Sequence, residues 1–269
     1  MSAPASAPET VPATAAEHPV FAGDKAVDLV YLEEVKVLFD GFKALDIGYF
    51  GVRENELRVV ICPNGAGKTT LCDVISGKTK VTQGRVIFDE KLITHVSEDE
   101  ISQMGVGRKF QTPTVFDSLT VFENMELALP GRRAVFSNLF GKTKPADRDK
   151  IMSTLERVGL AEVSELRSKH LSHGQRQWLE ISMLIVQSPR LLLVDEPAAG
   201  LTDEETHLTG ELLLELAGSH TLMVIEHDME FVRQLGQTVT VLCEGKVLCE
   251  GPLAKVQADE RVIEAYLGR

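Results

Sequence analysis

The sequence predicts an α/β fold, and three stretches predict it. First, the apolar run Leu57-Arg58-Val59-Val60-Ile61 leads into Pro63-Asn64-Gly65-Ala66-Gly67-Lys68-Thr69-Thr70. Leu71, Val74 and Ile75 then repeat at helical spacing before Gly77, a helix stop, so the stretch reads as strand, loop and helix. Second, Leu191-Leu192-Leu193-Val194 is a continuous apolar strand, the mark of a central place in a parallel sheet, and it ends at Asp195-Glu196. Third, Leu222-Met223-Val224-Ile225 ends at Glu226-His227-Asp228. Open α/β sheets hold their ligands at the carboxyl ends of such strands.

Each motif has a chemical reason. In Asn64, Gly65, Ala66, Gly67, Lys68, Thr69 and Thr70, glycine lets successive backbone N–H groups converge on phosphate oxygens, and the helix start adds partial positive charge. Lys68 suits the β- and γ-phosphates, and the Thr69 hydroxyl suits Mg²⁺. The pattern G-x-x-x-x-G-K-[ST] asks for glycine where this chain has Cys62. Two acids closing a buried strand are costly unless they hold a cation or its water. Asp195 is thus a candidate Mg²⁺ support, and Glu196 a candidate base for the attacking water. His227 is placed to sense a γ-phosphate.

Taken in order, residues 1–27 are rich in Ala, Pro, Ser, Thr and Glu and read as a disordered tail, with no secretory signal. Strand patterns follow at 29–32 and 35–39, with a turn at Asp40-Gly41 and further short apolar segments from Ala44 to Arg53. Phe39 reads as a core or edge aromatic; beside a nucleotide loop it is also a surface on which adenine can stack. Another strand pattern covers Gly84 to Phe88, and Ser97 to Glu100 form a capping box. Gln111 follows a short strand and precedes Pro113, where a polar side chain can enter a cleft. Residues 114–188 are mainly helical, with a second capping box at Thr120–Glu123. Ser172 and Gln175 cap a helix over roughly 176–187. That stretch is either a plain cap or a second anion site made by the Ser172 hydroxyl, the Gly174 N–H and the helix start. Thr202 to Glu205 cap another helix. A hairpin over 239–249 and a closing helix over 256–267 complete the chain.

The totals narrow the function class. A formal charge of −12 argues against nucleic acid as main partner, since phosphate backbones demand clustered Lys and Arg. No apolar run approaches the roughly 18–20 residues that span a bilayer. The four cysteines show no metal spacing, and a two-residue turn at Glu244-Gly245 pairs Cys243 with Lys246 rather than Cys249, so reduced thiols are expected.

These motifs, in this order, resemble the ATP-binding subunits of ABC transporters over residue 28 to the C-terminus. The resemblance rests on Cys62 to Thr69, Gln111 as the Q-loop glutamine, Leu171-Ser172-His173-Gly174-Gln175 as the signature, Asp195-Glu196, the D-loop region Ala199 to Thr202, and His227. It implies a RecA-like P-loop NTPase core over about 28–112 and 189–269, an antiparallel β subdomain, and an inserted helical subdomain over about 113–188. It implies MgATP hydrolysis, with Glu196, His227 and Gln111 catalytic and Thr69, Gln111 and Asp195 at the metal. Two ATPase copies, the same or sister chains, would face head to tail, so that Ser172 and Gly174 of one complete the ATP site of the other. The implied partners are membrane permease subunits and, indirectly, a periplasmic solute-binding protein. The implied place is the cytoplasmic face of the inner membrane, as a peripheral subunit. The stretches GVGRKFQTPTVFDSLTVFENMELAL and DEPAAGLTDEET look like the branched-chain amino-acid and amide importer group. LSHGQRQWLEISMLI and ISGKTKVTQGRVIFD look most like the UrtD-type subunit of urea importers. A branched-chain amino-acid importer and a soluble ABC ATPase outside transport are the alternatives. Three departures stand out: Cys62, His173 in place of a signature glycine, and Thr202 where many D-loops carry aspartate.

Overall fold

The computed structural model describes residues 28–62, 67–109, 115–130, 144–236 and 238–267. The expected tail, Asn64, Gly65, Ala66 and Gln111 lie outside these residues.

The first apolar stretch forms one strand rather than two. β1 (Asp28–Phe39) continues through Glu33 and Glu34, where the register against its neighbour shifts and Glu34 takes φ 51°. A bulge absorbs the two acids without ending the strand. β2 (Phe42–Arg53) returns through Asp40 and Gly41, whose φ values of 47° and 85° are those of a type I′ turn. With β4 (Gln83–Phe88) and β5 (Lys91–Leu92) these strands make an antiparallel sheet in the order β2-β1-β4-β5.

The second sheet runs β10-β9-β3-β8-β7-β6. It comprises β3 (Leu57–Ile61), β6 (Val106–Lys109), β7 (Leu191–Asp195), β8 (Thr221–Glu226), β9 (Thr238–Cys243) and β10 (Lys246–Pro252). All its pairings are parallel except the β9–β10 hairpin, which pairs Cys243 with Lys246 as expected. All four cysteines are free thiols. Every residue of β3, β7 and β8 is buried. β7 is internal but second from the edge; the middle of the sheet belongs to β3 and β8. Full burial marks a strand covered on both faces, which any internal strand satisfies.

Period-two alternation divides the interior. Leu57, Val59, Ile61, Leu192, Val194, Leu222 and Val224 face one apolar core, shared with α3 (Val121–Ala128), α4 (Pro145–Arg157) and α5 (His173–Ile185), and with α6 (Asp203–Leu216) and α7 (Met229–Leu235). Val60, Cys62, Leu191, Leu193, Met223 and Ile225 face the other, shared with the antiparallel sheet, α1 (Lys68–Ile75) and α2 (Glu98–Gln103). The capping boxes at Ser97, Thr120, Ser172 and Thr202 are all formed. The helix expected from 176 begins at His173, because Ser172 is its N-cap and the count starts immediately after it. The single closing helix expected over 256–267 is two short ones, α8 (Leu253–Gln257) and α9 (Glu260–Leu267). Asp259 parts them, its carboxylate accepting from the Arg261 amide at 3.0 Å. No helix among the described residues is long and apolar enough to cross a membrane.

Candidate functional site

The parallel order β3-β8-β7-β6 brings the carboxyl ends of four strands to one edge of the sheet. Ile61 lies beside Glu226, Asp195 beside Ile225, and Lys109 beside Val194. α1 starts at this edge. Its N-cap is Gly67 at φ 95°, with no side-chain cap and no acid in the first turn. By contrast α2, α3, α5, α6 and α7 carry side-chain caps. The bare start leaves amide donors and dipole charge directed at whatever occupies the loop. A methyl at Gly67 would come within 2.7 Å of the Ala44 carbonyl oxygen, so glycine lets β2 close against the start of α1. Arg108 of β6 anchors α1 from the other side, pairing with Asp73 and donating to the Ser76 hydroxyl at 3.0 Å.

Three of the expected residues converge here. Lys68 Nζ donates to Glu196 Oε1 at 2.9 Å, and His227 Nδ1 lies 3.5 Å from the same oxygen. The Lys68 bond holds the Glu196 carboxyl below the usual carboxylate range. Glu196 takes φ 49°, sparsely populated for a residue with a side chain, and its amide donates to Ile225 O at 2.9 Å. Such strain, of order 1–3 kcal/mol, persists where surrounding structure over-determines it. Asp195 is buried, and burial together with the Glu196 charge pushes its carboxyl up.

Oxygen donors of the kind Mg²⁺ prefers are present: Thr69 is exposed in the first turn of α1, and Asp195 ends β7 within electrostatic reach of Lys68. Among the described residues no cluster of His, Cys, Asp and Glu forms a protein-only metal cage. Two such donors suit a cation whose other ligands are waters and substrate phosphates, and a cation at Asp195 would relieve the energetic penalty that burial and Glu196 impose on it.

Phe39 is 47% exposed and pairs with exposed Phe42 across the β1–β2 turn, so the aromatic is a surface group and not core. Thr70 lies in the first turn of α1. Ser172 and Gly174 sit at the start of α5, outside the Lys68–Glu196–His227 group. There the Ser172 hydroxyl donates to Glu205 Oε1 at 3.1 Å.

Cys62 is buried and is not among the positive-φ residues, so the position does not require glycine's backbone freedom. Burial pushes its thiol up to about 12. Cys62→Gly should therefore leave nucleotide affinity within about twofold while costing roughly 1–3 kcal/mol of stability through lost packing and added chain entropy. Nucleotide titration and urea unfolding of the two proteins check this.

Two groups at this edge carried no role in the sequence reading. Glu226, nearly fully buried, accepts from the amides of Ala198 (3.1 Å), His227 (2.8 Å) and Asp228 (3.3 Å), holding the loop after Glu196 against β8. The same acid-ending-strand signal that picked out Asp195 was available for it. Lys109 donates to Gln177 Oε1 at 3.0 Å, and Gln177 Nε2 donates to Ala199 O at 3.0 Å. His173 Nε2 lies 3.3 Å from that carbonyl, so the ring of this signature residue contacts its own chain's loop at 199–200. No local pattern signals this chain of contacts.

A family model described as ABC transporter matches residues 46–199, and one described as branched-chain amino acid ATP-binding cassette transporter matches residues 246–269. The high-affinity branched-chain amino acid transport ATP-binding protein LivG of Salmonella typhimurium is 34% identical over 89% of this chain and 98% of its own. The ADP conformation of the ATP-binding cassette MJ1267 of an ABC transporter is 32% identical, with a TM-score of 0.78 over 90% of this chain and 99% of that one. A dimeric post-hydrolysis state of the ATP-binding cassette MJ0796, bound to ADP and Pi, is 25% identical, with a TM-score of 0.70 over 83% of this chain and 98% of that one.

Proposed function

We propose a role that proceeds from one premise: this chain belongs to the ABC transporter ATP-binding family. It is an ATPase subunit of an importer, most like those of branched-chain amino acid transport. The reading places the RecA-like core at about 28–112 and 189–269 and the helical subdomain at about 113–188. The observation that carries the chemistry is the convergence of Lys68, Glu196 and His227 at one strand edge.

Lys68 neutralises Glu196. Arrival of the β- and γ-phosphates draws Lys68 onto their oxygens, and Glu196 loses the partner that depresses its pKa. The freed carboxylate then orients the attacking water and accepts its proton. His227, 3.5 Å from the same Glu196 oxygen, meets the γ-phosphate. Thr69 and Asp195 would hold Mg²⁺, which when bound neutralises phosphate charge. Asn64, Gly65, Ala66 and Gly67 would serve the phosphates through their amides, and Gln111 would serve at the metal. Ser172 and Gly174 serve the nucleotide of a facing copy, an arrangement supported by the likeness to a dimeric cassette.

Phe39 stacks on adenine. Phe39→Ala should weaken ATP binding by roughly tenfold, within the ~1–3 kcal/mol that stacking on an aromatic supplies. GTP should lose a similar factor, because every base has a π-face; nucleotide titrations read both.

The partners are permease subunits at the cytoplasmic membrane face, with a solute-binding protein acting through them. The stretches at 171–185 and 75–89 support urea or a short amide as cargo, and the likeness to LivG supports a branched-chain amino acid. Proteoliposomes carrying this subunit and its permease subunits decide between them. Stimulation of ATP hydrolysis by urea-loaded binding protein supports the first; stimulation by leucine-loaded protein replaces it with the second.

A further inference from the structure

The start of α5 is already occupied by an anion. Ser172 Oγ accepts from the Gln175 amide at 3.1 Å, and its single proton goes to Glu205 Oε1 at 3.1 Å. The other carboxylate oxygen accepts from the Thr202 amide at 3.1 Å, closing the capping box of α6. A Cβ at Gly174 would lie 2.5 Å from Glu205 Oε1, so the carboxylate reaches in over the one residue there without a side chain. The Thr202, Ser172 and Gly174 donors together hold the Glu205 carboxyl below its ordinary range. One half of this carboxylate therefore caps its own helix, while the other lies on the Ser172 hydroxyl and the start of α5.

We propose that Glu205 is a built-in competitor for the signature anion site, which the γ-phosphate carried by a second copy of this chain must displace for two copies to close. This rests on the reading that Ser172 and Gly174 serve a facing nucleotide. A hydroxyl has one proton to donate, so Ser172 cannot serve a carboxylate and a phosphate together. Two anions sharing the same donors also repel. The capping box keeps Glu205 tethered while its Oε1 is free to leave. Glu205 thus acts through Ser172, as a positioning residue that sets the nucleotide concentration at which the dimer forms.

Glu205→Gln preserves the capping box, since Glu and Gln both serve at that place, and removes the competing charge. In full-length Glu196→Gln protein, expected to bind ATP and hydrolyse it only slowly, ATP-dependent dimerisation is followed by analytical ultracentrifugation. Adding Glu205→Gln should lower the ATP concentration for half-dimerisation by roughly three- to tenfold, a partly solvent-screened charge-assisted bond being lost from the open state alone. Glu205→Ala, which lacks any acceptor, should shift it the same way. Ser172→Ala should raise the half-point, and Glu205→Gln added to Ser172→Ala should lower it by less than it does with Ser172 present, because only the Gly174 contact and charge repulsion remain. If Ser172→Ala weakens the dimer while both Glu205 variants leave it unchanged, the competitor role is wrong and the shared site stands. If Ser172→Ala has no effect, or no ATP concentration yields a dimer, the shared-site reading itself falls and the proposal with it.

Discussion

Glu196→Gln should bind ATP normally and hydrolyse it at least about a hundredfold more slowly, the low end of what a positioned general base contributes. The amide keeps the size and hydrogen-bonding reach of the carboxylate but cannot take a proton at neutral pH. The strained backbone at φ 49° and the bond from the Glu196 amide to Ile225 do not depend on the side-chain charge, so the fold survives. Lys68 loses its anionic partner, and phosphate no longer competes with a carboxylate for it. ATP affinity should therefore hold or rise slightly while turnover collapses. Single-turnover hydrolysis alongside nucleotide titration separates the two, and undiminished hydrolysis would remove Glu196 from the role of base.

Lys68→Ala acts on the other side of the same pair. It should lower ATP affinity by roughly 10- to 100-fold, the range of one charge-assisted bond to phosphate, and hydrolysis should fall with it. The fold should change little. The pair is partly exposed, with side-chain exposures of 11% for Lys68 and 28% for Glu196, so its contribution is below about 1 kcal/mol. The sign follows from the lowered Glu196 pKa. A depressed carboxyl stabilises the fold above its unfolded pKa and loses that contribution as pH falls through the folded one. The stability gap between wild type and Lys68→Ala should thus be present at pH 7 and close below the ordinary glutamate range. Denaturant midpoints at pH 7 and below pH 4 measure it. A gap that widens in acid would mean that Lys68 stabilises through some other contact.

Much of this was legible in the chain because the signals are local. The strand–loop–helix at 57–77, the capping boxes and the hairpin turn at Glu244-Gly245 each depend on residues within a few positions of one another. Reading failed where the deciding contact was distant. The two acids at Glu33 and Glu34 look like a strand break, yet β1 runs through them because β2 and β4 pair it on both sides. The Asp89-Glu90 turn, with φ values of 49° and 61°, carries no glycine to announce it. Full burial of β7 looks the same in sequence whether the strand is in the middle of a sheet or one place from its edge.

What the sequence by itself determined is the inventory: a glycine-containing stretch leading into Lys68, two strands ending in Asp195-Glu196 and Glu226-His227, and a serine cap at 172. These follow from periodicity and from the few residues that can begin a helix or close a buried strand. Only the tertiary structure decided who meets whom. Lys68 reaches Glu196 across 128 positions because β3, β8 and β7 are neighbours in one parallel sheet. Ser172 meets Glu205 because the starts of α5 and α6 are brought together, setting a carboxylate on the cap of α5. Local pattern carries the chemistry of each group, but pairing energy depends on distance in space, which strand order and helix packing set.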